Sequence, residues 1–384
     1  MSNDVVIIGG GSSGLMARAL LRGKSITIER GGEVGRKLLL TGGGRCNLTH
    51  MGSPGELEKA FFEKKNFVRS ALYSFPPDKI RDFFRKIGVD TYSDESGRVY
   101  PKTGGAVKVR DALLNEKGRI YLDSRCTSLE KRGDVFLIGT EKGTIESKYV
   151  IVASGGCSFP ATGSDGSFFK ILSSIGHDII PRRPALSPIH LSDNRFGKLS
   201  GISISAVLSK GKIREEGELL FTRNGLSGPV AENFSRNLEG KDSFTLSFTD
   251  DPDSLTLDGN ALVKNTLSIP GRLAEVLFPS LCGKKTSELG KKEKNAIRTT
   301  LSGMHLEGSS TWNGAMSSRG GVDVKEIDPK SMESKIVKGL YILGDALDVD
   351  AKCGGYSLTF AFSSAYLAAK DIFSKEWPED SFLL

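Results

Sequence analysis

Gly9-x-Gly11-x-x-Gly14 opens the chain, and an acid, Glu29, follows twenty residues after the first glycine. Each residue suits one task in holding a dinucleotide. Gly9 permits a tight turn, Gly11 lets a pyrophosphate reach bare backbone, and Gly14 allows a helix to pack closely on a strand. A helix opening here offers free N–H groups and partial positive charge to phosphates. Glu29 accepts hydrogen bonds from a ribose 2′-OH and disfavours a 2′-phosphate. The chemistry implied is dinucleotide binding.

A second set lies at 36–50: Arg36, Lys37, Thr41, Gly42-Gly43-Gly44, Arg45, Cys46, Asn47 and His50. Three consecutive glycines leave amides unobstructed, and the three cations attract phosphate. Thr41 and Asn47 suit the polar edge of a flat ring. Cys46 is a candidate proton donor, because adjacent Arg45 favours thiolate character; a small residue filling space beside a ligand is the plainer reading. His50 and His190 are further acid/base candidates. Later stations are Ala153-Ser154-Gly155-Gly156, Gly344-Asp345 and Gly354-Gly355-Tyr356-Ser357. Asp345 is suited to a sugar hydroxyl. The five cysteines form no CxxC pair and no metal spacing, which argues against disulfide-reductase chemistry and a metal site. A second complete GxGxxG is absent, so a stable separate NAD(P)H site is not expected, whereas a transient nicotinamide visit is compatible.

These residues need elements to position them. Residues 5–8 are an uncharged β-branched run, the pattern of a strand buried on both faces. Residues 15–21 read as a helix and 25–28 as a second strand, completing a βαβ unit. Residues 36–50 read as a loop. Residues 55–90 look helical, broken at Pro76-Pro77. Strands are expected at 119–122, 135–138 and 149–152, and helices at 107–114 and 168–172. The strand ending at 152 runs into small residues at its carboxyl end, where open α/β sheets bind ligands. After Pro181-Arg182-Arg183-Pro184 the pattern changes to short alternating strands at 202–208, 218–222 and 244–248, which predict a small antiparallel sheet or barrel. Residues 259–303 look helical, with a basic stretch through Lys284, Lys285, Lys291, Lys292, Lys294 and Arg298. The expected division is 1–185 as a dinucleotide domain, 186–258 as an inserted β-barrel, 259–318 as a small helical insert, and 319–384 as the return to the first domain.

Lys plus Arg (53) exceeds Asp plus Glu (46), a formal surplus of +7 that attracts phosphate-rich partners, RNA included. A solvated basic surface around a dianionic ligand is the plainer reading. A run of ~20 apolar residues is absent, which argues against a transmembrane helix. The N-terminal apolar run is too short for a signal peptide, and the cysteine usage fits a reducing, cytoplasmic setting. Oligomeric state is not legible.

Four stretches resemble the signature of one bacterial family, the BaiN/aminoacetone-oxidase-like FAD flavoproteins, also called the YhiN type. They are Thr41-Gly42-Gly43-Gly44-Arg45-Cys46-Asn47-Leu48-Thr49; Gly97-Arg98-Val99-Tyr100-Pro101; Phe221-Thr222 with Gly225-Leu226-Ser227-Gly228-Pro229; and Leu347-Asp348-Val349-Asp350 with Gly354-Gly355-Tyr356. The resemblance spans essentially the whole chain. It implies an α/β, Rossmann-like two-dinucleotide-domain flavoprotein fold with an inserted β-barrel and a small helical domain. It implies FAD as cofactor; NAD(P)H as a transient electron donor is the further expectation. The FAD-binding residues it implies are Gly9, Gly11, Ser13, Gly14, Glu29, Arg30, Lys37, Thr41, Gly44, Arg45, Cys46, Asn47, Cys126, Gly155, Gly344, Asp345, Gly355, Tyr356 and Ser357. The amides opening the last helix would face the flavin N1/O2 edge. Members are linked to reduction of steroid double bonds, to amine oxidation and to dihydrouridine formation in ribosomal RNA. The expected activity is hydride transfer from reduced flavin to an activated C=C bond. Uridine in ribosomal RNA is the favoured substrate, given the basic surplus. A small-molecule enone or amine, or a flavin-bearing RNA-binding or assembly factor without turnover, are the alternatives. Three residues depart from the family pattern. Asp345 stands where Glu is common, Arg223 where His follows Phe-Thr, and Tyr366 where a small residue is usual.

Overall fold

The computed structural model describes residues 3–380 and 382. The chain divides into two compact units: one runs to Arg183 and resumes at Ser317, the other is Pro184–Met316.

In the first unit, β1 (Asn3–Ile8) pairs in parallel with β2 (Ser25–Ile28) on one side and with the long strand Gly143–Val152 on the other. Arg119–Tyr121 adds outside β2, and Leu340–Ile342 adds beside the long strand, both in parallel. Val5, Val6, Ile7 and Ile8 are buried, as their uncharged run requires. The registers Ile8↔Ile28, Ile8↔Val152 and Ile342↔Val152 end these strands at one level. Gly9, Glu29, Ala153 and Gly344 therefore leave from the same sheet edge, although they come from both ends of the chain. The first half of Gly143–Val152 pairs antiparallel with Val135–Thr140, which pairs in turn with Cys126–Arg132.

The helix α1 (Ser12–Leu20) packs on the closing helix Tyr356–Glu376. The closing helix is buried along most of its length, and its hydroxyls find partners inside: Ser363 Oγ donates to Phe75 O at 2.8 Å. Tyr366 stacks on Phe75 with ring centroids 4.7 Å apart and planes within 3°. The departure from a small residue is thus filled by an aromatic pair worth about 0.5–1.5 kcal/mol beyond simple burial.

Residues 36–50 are more ordered than a loop. They form α2 (Arg36–Leu40), a 3-10 turn at Thr41–Gly44, and a short strand Thr49–His50 paired with Val99 and Arg98. The helical stretch after residue 54 breaks where expected, since Pro76 caps and Pro77 begins the helix Pro77–Lys86.

The second unit is a closed barrel. Its strand order is Ile189–Leu191, Gly225–Ser227, Ile213–Thr222, Ser203–Lys210, Asp242–Ser247 and Met304–Ser310, with the last strand closing on the first. Phe221, Phe234, Phe244 and Leu306 belong to its core. Met304–Ser310 is a barrel strand, so the helical segment is an excursion between the fifth and sixth strands rather than a block that follows the barrel. Its helix Lys291–Ser302 buries Ile297 and Leu301. Lys294 pairs with Asp258 and Lys284 with Glu293, while Lys291 and Lys292 are exposed. Among the described residues, no helix is long and apolar enough to cross a membrane, and no group of three His, Cys, Asp or Glu forms a metal cluster.

Candidate functional site

The site is built along the shared sheet edge of the first unit. Gly11 caps α1 with extended backbone, and no side chain caps it among the described residues. The first-turn N–H groups of α1 are therefore open to an anion. A Cβ on Gly11 would meet no described atom within 4 Å, whereas one on Gly14 would sit 2.0 Å from Gly9 O. Glycine thus serves packing at 14 and open space at 11. Lys37, on α2, reaches Asp345 Oδ2 at 2.7 Å and Ser158 Oγ at 2.5 Å. One cation so joins α2, the segment after Gly155-Gly156 and the Gly344-Asp345 turn.

At the neighbouring strand end, Glu29 Oε2 accepts the Gly10 N–H at 2.8 Å and Oε1 accepts the Gly31 N–H at 2.9 Å. These bonds lock the fingerprint turn to β2 and leave each oxygen a further lone pair for a sugar hydroxyl. Arg30 Nη1 pairs with Asp165 Oδ2 at 2.7 Å. Burial pushes the Asp165 carboxyl up, but hydrogen bonds from Ser167 and the Arg30 cation hold it down at about 2. The Ser124 N–H donates to Glu29 O at 2.8 Å, two residues before Cys126. Burial pushes the Cys126 thiol up to about 12, so it stays neutral.

The third part joins the glycine row to the closing helix. Asn47 Oδ1 is buried without a hydrogen-bond partner among the described residues. It lies against Gly355, which caps the closing helix at φ 93° with no side-chain cap. Thr49 Oγ1 and Thr359 Oγ1 are 2.7 Å apart, tying the short strand to the helix's first turn. His50 stacks on Tyr356 with centroids 4.8 Å apart, and its Nδ1 is 3.1 Å from Gly354 O. Tyr356 is half-buried. Burial raises its phenol, with Arg98 pulling it down and Cys353 pushing it up.

Several expected residues thus converge: Gly9, Gly11, Ser13, Gly14, Lys37, Gly344 and Asp345 at one end, Glu29 and Arg30 beside them, and Asn47, Gly355 and Tyr356 along the closing helix. Two serines escaped the sequence reading. Ser158 partners Lys37, and the buried Ser164 Oγ has no partner among the described residues and faces Gly155. The signal was present as a Ser/Gly-rich run downstream of Gly155-Gly156.

Other expectations are corrected. Cys46 has left-handed backbone (φ 60°) and a wholly enclosed side chain. Burial pushes its thiol up to about 12 despite a hydrogen bond with Thr41, so thiolate character is not favoured. Its sequence neighbour Arg45 does not compensate. The Arg45 guanidinium lies over the Tyr100 ring at 5.2 Å, with Nε donating to Gly42 O at 3.2 Å, on the exposed side of the loop. His190 sits on the barrel strand Ile189–Leu191, opposite Gly225 and Ser309, in the other unit from His50. Arg223 is exposed in the turn between two barrel strands.

An edge carrying open amides, a lysine, an acid with free lone pairs and a buried orphan acceptor suits a dinucleotide that bears a flat polar ring. Comparison with known proteins agrees. The HI0933-like protein Rossmann domain matches residues 3–371. The chain is 29% identical to the ribosomal RNA dihydrouridine synthase of Escherichia coli K12, over 96% of this chain and 98% of that protein. It is also 29% identical to the 3-dehydro-bile acid delta(4,6)-reductase of Clostridium scindens, with the same coverage. Among solved structures, the fold is similar to 3-ketosteroid delta1-dehydrogenase from Sterolibacterium denitrificans in complex with 1,4-androstadiene-3,17-dione. The TM-score is 0.54 at 12% identity, covering 98% of this chain and 100% of that one.

Proposed function

The chain belongs to the HI0933-like Rossmann-domain family of FAD-dependent oxidoreductases, and we propose that it is a reductase whose substrate is uridine in ribosomal RNA. When bound, FAD supplies the two-electron chemistry at its isoalloxazine ring. NAD(P)H is the proposed reductant, visiting transiently, and the proposed setting is the cytoplasm.

The observation that carries the cofactor reading is the pairing of empty space at Gly11 with the orphan acceptor Asn47 Oδ1. The first accepts a pyrophosphate, and the second suits a ring N–H such as flavin presents. Lys37 and the α1 amides hold phosphate, Glu29 the ribose, and Asp345 a ribityl hydroxyl. The uncapped start of the closing helix favours negative charge at the ring's pyrimidine edge.

Reduction of an activated C=C bond also needs a proton at the neighbouring carbon. Cys46 is enclosed, so Tyr356 is the better donor: its phenol stays protonated at neutral pH and its ring is held by His50. Ribosomal RNA is favoured by the Escherichia coli relative and by the +7 surplus. A conjugated small-molecule enone is the second reading, favoured by the equally similar bile-acid reductase.

The test is to extract flavin from the purified chain, reduce the holoenzyme with NADPH, and follow reoxidation by ribosomal RNA from a strain lacking the gene. FAD release and RNA-dependent reoxidation are expected. Bound flavin that reoxidises only with enones would select the second reading.

A further inference from the structure

Beside the glycine row at 42–44, the structure holds a cationic aromatic cluster that the proposed reduction does not use. Tyr92 and Tyr100 face each other across the hairpin strands Thr91–Ser93 and Arg98–Pro101, with ring centroids 5.9 Å apart and planes at 33°. Tyr100 is buried, and the Arg45 guanidinium lies over its ring. The Arg45 Nε bond to Gly42 O fixes that guanidinium in place before any ligand arrives. Arg45 is exposed, and Tyr92 is itself 45% exposed. Gly43 and Gly44 precede Arg45 with left-handed backbone, and a Cβ on either would meet no described atom within 4 Å. Lys102 and Lys108 add exposed positive charge along the same part of the chain.

We infer that Arg45, backed by Tyr100 and flanked by Tyr92, is a stacking platform for an unpaired nucleobase next to the one being reduced. The inference rests on the RNA reading above. An enzyme that acts on a base must take it out of its stack, and the bases beside it lose stacking in turn. A guanidinium already held over an aromatic ring replaces one lost stack with little ordering cost. Bare backbone at Gly43 and Gly44 lets the strand run past without a Cβ in the way. Arginine suits this task because it presents a plane as well as a charge; lysine presents a charge alone. The exposed side of the loop and its enclosed side thus have different tasks: Asn47 faces the interior, Arg45 the RNA.

The test is fluorescence anisotropy of FAD-loaded protein with a fluorescein-labelled, uridine-rich single-stranded RNA across a salt series. Compared at equal flavin occupancy, Arg45→Ala and Arg45→Lys are each expected to bind about tenfold or more weakly, with the salt slope altered by less than one phosphate contact. Tyr92→Ala is expected to weaken binding less. Wild-type affinity in Arg45→Ala would overturn the platform and leave the RNA reading standing. Affinity restored by Arg45→Lys, or lost together with a steep change in salt slope, would also overturn it, because Arg45 would then be a phosphate contact. Absence of any binding by the wild-type protein would overturn the RNA reading and the platform with it.

Discussion

A Cβ built on Gly355 would lie 2.7 Å from Asn47 Oδ1 and 2.9 Å from Thr49 O. The segment 36–50 and the closing helix are thus in contact at a residue that tolerates no side chain. Gly355→Ala must move one of them and must also hold alanine at φ 93°, a strain of about 1–3 kcal/mol. We expect this variant to fold with a lowered Tm and to lose bound flavin, read by visible absorbance. Asn47→Ala should keep its Tm and bind flavin about tenfold more weakly, through loss of one acceptor.

The glycines at 11 and 14 have opposite reasons to be small. Gly11→Ala is expected to leave the Tm of the flavin-free protein within about a degree, since its Cβ enters open space. Gly11→Glu should abolish FAD binding without unfolding the chain. Gly14→Ala, with its Cβ 2.0 Å from Gly9 O, should yield little soluble protein. Equal Tm losses at both positions, measured by calorimetry, would contradict this division.

The buried thiols make a chemical prediction. Cys46 and Cys126 are held neutral by burial, both near 12, while Cys282 is partly exposed. Native protein treated with iodoacetamide at neutral pH should label at Cys282 and not at Cys46 or Cys126, by peptide mass spectrometry. Below the ordinary thiol value of 9.0 both states keep the proton, and these thiols leave stability intact. As pH rises from about 9 to about 12 the unfolded chain ionises first, so that stability is lost.

Tyr356→Phe keeps the ring that stacks on His50 and removes the proton. Flavin content and reduction by NADPH should be unchanged, while reoxidation by substrate slows about 10²–10⁴-fold. Burial raises the phenol, so the wild-type rate should fall only at alkaline pH, and that alkaline limb should vanish in the variant. An intact limb would move the proton step elsewhere.

The opening βαβ unit was legible because its signals are local: a β-branched run, three glycines and an acid in register. The convergence of Gly9, Glu29, Ala153 and Gly344 on one edge depends on strand registers that no local pattern encodes. Met304–Ser310 was absorbed into a helical reading because a long excursion separates it from the rest of its barrel. The thiolate argument for Cys46, though not its plainer space-filling reading, fails for a related reason. Adjacency to Arg45 along the chain suggested electrostatic contact, but the left-handed backbone at Cys46 and the turn before it send one side chain into the core and the other onto Tyr100. The Lys-rich helix carried less free charge than its composition suggested, since Lys294 is paired with Asp258.

The most direct test of the central claim is a dihydrouridine map of ribosomal RNA from cells with and without this gene. One dihydrouridine is expected to disappear on deletion, to return with the wild-type gene and not to return with Gly11→Glu. An unchanged map in cells that express the gene would contradict it and assign the same flavin site to a small-molecule substrate.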